Sequence, residues 1–129
     1  LIARSVENGD ADEVVLLAKR EAATLGTVHV KRLAYDKAEI GLFSVDPDEQ
    51  GLGIGSKLLD AAEAHARDKM GVSRASVWVI SVRDDLIAWY ERRRYERTGG
   101  TAPFPVGEGV GEVLVNGPLE FVGLEKRLL

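Results

Sequence analysis

The chain has 129 residues and no cysteine, which is enough to bury one core without disulfides and excludes a thiolate nucleophile, an acyl-cysteine relay and a sulfur-ligated metal. A net charge of −4 speaks against nucleic acid as an electrostatic partner, and no apolar run approaches the ~20 residues of a membrane helix. The two histidines, His29 and His65, lack the spacing of a helical ligand pair, so no metal is expected. With no visible signal peptide, residues 1–129 are expected to form a single cytoplasmic domain without a membrane partner.

In chain order, residues 1–6 fit a short strand or a frayed helix end, and 7–12 (ENGDAD) a polar loop. Residues 13–20 (EVVLLAKR) and 25–32 (LGTVHVKR) carry valines at period two and predict two strands joined by 21–24. Residues 38–45 (AEIGLFSV) predict a third strand, mostly apolar and therefore central. Ile54, Leu58, Ala61, Ala62, Ala66 and Met70 then mark one face of an amphipathic helix, with Gly71 as its C-terminal cap and Glu63 with Arg67 as an i, i+4 pair. Residues 75–82 (ASVWVISV) predict a strand and 85–93 a helix with Asp84 as N-cap. Residues 95–97 begin a strand, 98–109 form a Gly/Pro-rich loop, and 119–129 contain a last strand. The helix of 54–70 makes a crossover between two strands, which predicts an α/β or α+β sheet.

The stretch VDPDEQGLGIGSKLL (45–59) places three glycines where that helix starts. A helix N-terminus presents N–H groups without partners and a partial positive charge, so the amides of Gly51 to Ser56 suit a diphosphate, with Ser56 and Lys57 nearby. A tight strand-to-helix turn without a ligand is the plainer alternative. The P-loop pattern is excluded because Ser56 precedes Lys57, and the dinucleotide fingerprint fits poorly because residues 46–50 intervene after the strand.

These residues closely resemble the acetyl-CoA signature of the GNAT superfamily of N-acetyltransferases, with Gln50, Gly53 and Gly55 at its defining positions. VISVRDDLIAWYERRRY (79–95) is similar to the family's next strand, helix and Tyr-x-x-x-Gly close. The resemblance implies a mixed, mostly antiparallel central sheet with flanking helices and a splayed parallel strand pair. It implies acetyl-CoA as cosubstrate, the pantetheine on main-chain groups of Phe43, Ser44 and Val45, and the pyrophosphate on Gln50, Gly51, Leu52, Gly53, Ile54, Gly55 and Ser56. The chain departs from the pattern at Arg83, where the family has Asn, and at Arg94, where it has a glycine in left-handed backbone. The family also has a strand and two acceptor-side helices before the first confident strand. Residues 1–12 cannot contain them, so these elements are expected to be missing from the sequence.

Within the resemblance, Tyr90 matches the tyrosine that protonates the departing CoA sulfur; its alternative is a core residue sharing a face with Leu86. Glu39 matches the catalytic glutamate of the histone-acetylating branch; its alternative is a solvent-facing residue. His29 is the second candidate base or else a sheet-packing residue, and His65 is expected to pack on the sheet. Trp78 and Trp89 are expected in the core and cleft wall. Arg92, Arg93 and Arg94 are expected to complement a helix dipole, with a CoA ribose phosphate contact as a secondary reading. The implied function is direct acetyl transfer to a primary amine of a small molecule, peptide or protein. A non-catalytic acyl-CoA sensor or interaction module is the alternative, and homodimerisation stays open.

Overall fold

The computed structural model describes residues 2–7, 12–46, 53–103 and 120–129, with the backbone alone at 2–7, 42 and 43. Apolar residues at every second position of Glu13–Arg20 (β2) bury Val14, Leu16 and Ala18 on one face. Ile2–Glu7 (β1) pairs antiparallel along one edge of β2, from Ile2↔Lys19 to Glu7↔Val14. Ala23–Ala34 (β3) pairs antiparallel along the other, through a turn at Glu21 and Ala22. β3 is longer than expected because a register shift at Ala18/Lys19 lets pairing run on to Arg20↔Ala23. Lys37–Val45 (β4) follows antiparallel, with Gly26↔Val45 at one end and Ala34↔Lys37 at the other.

Ile54–Asp68 (α1) buries Ile54, Leu58, Leu59, Ala62 and Ala66 and lies against β2, β3 and β4. The helix stops two residues before Met70, and Gly71 follows with φ 70, the left-handed conformation that suits a glycine after a helix. The chain divides into two compact units, Leu1–Ser76 with Arg127–Leu129, and Val77–Lys126. Arg74–Ile80 (β5) contributes to both. In the first unit the strand order is β1-β2-β3-β4-β5, antiparallel except for a parallel ladder of Lys37↔Arg74, Ala38↔Ala75 and Glu39↔Ser76. The second unit holds Asp84–Arg92 (α2), Glu96–Pro103 (β6) and Glu120–Arg127 (β7), with the order β5-β7-β6 and β6 antiparallel to β7. The fold class is therefore the expected α+β, mostly antiparallel, with β4 central in its unit.

One end of the first unit is fastened by polar contacts. The Asp36 carboxylate accepts the Ser73 N–H at 2.9 Å and the Ser73 hydroxyl. Arg32 donates to Asp12 at 2.8 Å, to the Tyr35 carbonyl at 3.0 Å and to the Met70 carbonyl. The turn between β3 and β4 is thereby tied to the connection between α1 and β5. The opposite end carries the N-terminus of α1.

Four local expectations are corrected. α2 begins at Asp84, and its N-cap is Arg83 with no side-chain cap bond; Asp84 already sits in the first turn, where its charge favours the positive helix end. Residues 98–103 belong to β6 rather than a loop: the Thr98 hydroxyl accepts the Gly100 N–H at 3.0 Å and donates to the Gly123 carbonyl at 3.3 Å. Gly99, with φ 84, sits inside the register shift between Arg97 and Thr101, so the glycines make a bulge, and 104–109 lie outside the described residues. Trp78 is not a core residue. It is 39% exposed, and its ring lies over the bare backbone at Gly123, where a Cβ would come within 3.2 Å of it. Arg67 bonds Asp68 through two nitrogens at 2.9 and 3.1 Å, while Glu63 is buried and only a weaker through-space charge on Arg67.

Candidate functional site

α1 begins at Gly53, whose φ of 79 and ψ of 11 place it in left-handed backbone, with no side-chain hydrogen bond capping the helix. The Gly53 carbonyl accepts the Lys57 N–H at 3.1 Å, the first bond of the helix. The N–H groups of Ile54 and Gly55 therefore have no intrahelical acceptor. No acidic residue occupies the first turn, so nothing there opposes a negative charge. Ile54 is buried and anchors the turn, Gly55 and Ser56 are half-buried, and a Cβ on Gly53 would meet nothing within 4 Å. Gln50, Gly51 and Leu52 lie outside the described residues.

Gly26 sets how closely this turn approaches the sheet. A Cβ there would lie 2.7 Å from the Ser44 carbonyl oxygen, 2.8 Å from Leu58 Cδ1 and 3.4 Å from Ile54 Cγ2. Only a bare backbone lets α1 lie this close to the end of β4. Gly26 is not among the site residues expected from sequence, although a lone glycine within the strand pattern LGTVHV is the signal of such an approach.

On its β3 edge, β4 is paired through Ser44↔Thr27 and Val45↔Gly26, and the Asp46 N–H reaches the Leu25 carbonyl at 2.7 Å. On its other edge the described parallel ladder covers only Lys37, Ala38 and Glu39.

Glu39 sits at the last pair of the parallel ladder, opposite Ser76 on β5 and Lys31 on β3. It is half-buried, and among the described residues no hydrogen bond or ion pair holds its carboxylate. His29 is engaged by Glu13, with its Nε2 at 2.7 Å from Oε1. Tyr90, in the second unit, is 6% exposed and makes edge-on contacts with Trp89 and Tyr95 at ring separations of 5.0 and 5.3 Å. Among the described residues no group hydrogen-bonds its hydroxyl and no side-chain N or O is both buried and without a partner, so the Tyr90 oxygen reaches the surface. Burial of the ring pushes its pKa up to about 12, leaving a neutral phenol at ordinary pH. Arg83 turns its guanidinium onto Asp85 at 3.0 and 3.2 Å, which raises the Arg83 pKa and lowers that of Asp85. Among the described residues no group of three or more His, Asp or Glu could hold a metal ion, and no helix is long and apolar enough to cross a membrane.

Comparison with known proteins shows a shared fold and a family. Among solved structures, an IAA acetyltransferase from Bacillus cereus ATCC 14579 superposes with a TM-score of 0.76 at 21% identity, over 90% of this chain and 78% of the other. A GNAT family acetyltransferase from Elizabethkingia anophelis with acetyl-CoA bound gives 0.76 at 18% identity, over 90% and 76%. At these identities the likeness concerns the fold. Among curated proteins, a mycothiol acetyltransferase from Propionibacterium freudenreichii subsp. shermanii is 34% identical over 82 residues, which is 60% of this chain but only 26% of that relative. The profile of the acetyltransferase (GNAT) family matches residues 3–95, a span that takes in both the turn at Gly53 and the helix that carries Tyr90; the chain belongs to that family.

Proposed function

We propose that the protein transfers the acetyl group of acetyl-CoA directly to a primary amine. The observation that carries the reading is the N-terminus of α1: without a side-chain cap, free of acid in its first turn, opened by a left-handed glycine, and held by Gly26 close against the end of β4. The pyrophosphate would rest on the amides of Gly53 to Ser56, with Gln50, Gly51 and Leu52 completing the loop. The pantetheine would pair with the main chain of Phe43, Ser44 and Val45. The neutral amine attacks the thioester carbonyl, the tetrahedral intermediate collapses with cleavage of the C–S bond, and the sulfur takes a proton while the new amide loses one. Tyr90 is assigned to the sulfur and Glu39 to the amine proton. His29 is the weaker base candidate because its Nε2 is already held by Glu13.

The acceptor is read more coarsely, as an amine. The curated relative is named for mycothiol, so a mycothiol-type acceptor belongs first in a screen, followed by polyamines, aminoglycosides and peptide amines. The test is calorimetry with acetyl-CoA followed by thiol release against that panel. We expect saturable acetyl-CoA binding that Gly53→Asp abolishes without unfolding the chain, and acceptor-dependent thiol release. Unchanged affinity in the folded Gly53→Asp variant would remove the pyrophosphate assignment. Binding without release for any acceptor would favour an acyl-CoA sensor.

A further inference from the structure

Four cationic side chains gather around one recess of the second unit. Arg92 ends α2, Arg93 and Arg94 follow it, and Lys126 comes from β7; with Trp89 they line a cavity of about 370 Å³. No acidic side chain is part of that lining. The Arg93 guanidinium is held over the Trp89 ring at 4.9 Å and the Lys126 ammonium over the Tyr95 ring at 5.6 Å, so two of the charges are fixed from different elements. Among the described residues no carboxylate pairs with Arg92 or Arg94, and the neighbouring Glu91 faces Arg97 at 3.8 Å.

Helix-dipole complementation does not account for the cluster. A nine-residue helix is served by Arg92 in its own last turn, whereas Lys126 is not part of the helix at all. Arg94 adds an independent observation. The Tyr95 N–H bonds the Tyr90 carbonyl at 3.1 Å and the Arg94 N–H bonds the Glu91 carbonyl at 3.0 Å, the paired bonds of a helix stop whose left-handed position normally holds glycine. Arg94 occupies that position with φ 75. The chain thus keeps a cationic side chain where a bare residue would be less strained.

We propose that this recess is an anion site for a small molecule carrying two or more linked phosphates. Guanidinium pairs bidentately with phosphate oxygens, and Arg92 and Arg94, with the positive charges of Arg93 and Lys126 beside them, favour an anion of more than one negative charge. The volume exceeds what a single phosphate fills. The proposal does not rest on the transferase reading, which gives none of these residues a catalytic step and Arg92, Arg93 and Arg94 only a secondary contact with the CoA ribose phosphate. The occupant is a free compound with linked phosphates; the nucleotide end of CoA carries similar groups and is the alternative that the test separates from it.

Inorganic pyrophosphate is titrated into the full chain at constant ionic strength, with and without saturating acetyl-CoA, in the wild type, Arg94→Gly and the double variant Arg92→Gln/Lys126→Gln. We expect saturable binding in the presence of acetyl-CoA, weakened about tenfold or more in both variants. Arg94→Gly should melt at a higher temperature than the wild type because the strained residue is relieved, so its weaker binding cannot come from unfolding. The proposal is overturned if Arg94→Gly melts higher yet binds pyrophosphate as before, or if sulfate at the same ionic strength produces the same response. It is equally overturned if acetyl-CoA displaces pyrophosphate and the variants lose acetyl-CoA affinity, because the recess then belongs to the cosubstrate.

Discussion

Tyr90 joins a buried ring to a hydroxyl that reaches the surface, and its pKa limits the chemistry assigned to it. A phenol at about 12 is a weaker acid than a thiol by roughly 3 units or more, so full proton transfer to a finished thiolate would run uphill. Its contribution is therefore expected as a hydrogen bond that strengthens while charge develops on sulfur. Tyr90→Phe should lower kcat about 100-fold, the small end of the range for general acids, with acetyl-CoA affinity nearly unchanged. Single-turnover kinetics beside calorimetry would check this split, and equal loss in both quantities would return Tyr90 to a packing role. Glu39, with no partner holding its carboxylate among the described residues, is proposed for a different step. Glu39→Gln should slow turnover by about 10² to 10⁴ near neutral pH, with partial recovery at high pH, where bulk solvent supplies the neutral amine. A pH–rate profile that matches the wild type throughout would pass the role to His29 or water.

Two glycines of the first unit differ in what a methyl group would meet, and that difference tests how α1 is placed. At Gly26 an added Cβ collides with the Ser44 carbonyl and Leu58, whereas at Gly41 it meets nothing within 4 Å. Gly26→Ala should cost about 1–3 kcal/mol through overpacking and should weaken acetyl-CoA binding, because the first turn of α1 must move off β4. Gly41→Ala should leave melting temperature and affinity close to the wild type; comparable losses in both variants would mean that the spacing of α1 does not set affinity. The elements themselves were largely legible. β2 was read with its observed bounds and β4 to within one residue, because period-two and continuous apolar patterns report burial directly, and α1 followed from its helical stripe. β6 was not legible, since its Thr98, Gly99 and Gly100 carry turn signals and the strand exists only through pairing with β7. The cap of α2 slipped by one residue for a related reason: Asp84 has the chemistry of an N-cap, but the turn from Ile80 to Arg83, closed by a bond of 2.9 Å, decides where helical backbone begins.

At the scale of the whole molecule, the two ends of the pH scale act on different groups, only one of which has a precedent in the sequence reading. The family signature pointed to Tyr90 and to the glycine turn, but nothing local in the sequence announced that Asp36 would reach Ser73, because that contact joins residues 37 apart through the fold. The Asp36 carboxyl is held below its ordinary value of 3.8, first by the Ser73 hydroxyl and then by the Ser73 amide. A depressed folded-state pKa gives stabilisation that is present above the unfolded value and lost as pH falls through the folded one. Asp68 and Asp85 are lowered too, by Arg67 and Arg83, but these are exposed pairs that salt screens and that add little. The acid limb of the stability curve should therefore flatten in Asp36→Asn and change little when NaCl is raised. At the alkaline end the sign reverses. Tyr90 is raised from 10.0 to about 12, so the folded chain holds its proton more tightly than the unfolded chain, and that contribution is complete below pH 10 and disappears between about pH 10 and 12. Because the Tyr90 hydroxyl reaches the surface, solvent offsets part of this contribution, and Tyr35, 94% exposed, serves as the surface control. Melting temperatures recorded from pH 8 to 12 should fall more steeply in the wild type than in Tyr90→Phe, and not in Tyr35→Phe. Parallel curves for wild type and Tyr90→Phe would mean that the phenol reaches solvent well enough to ionise without unfolding the second unit.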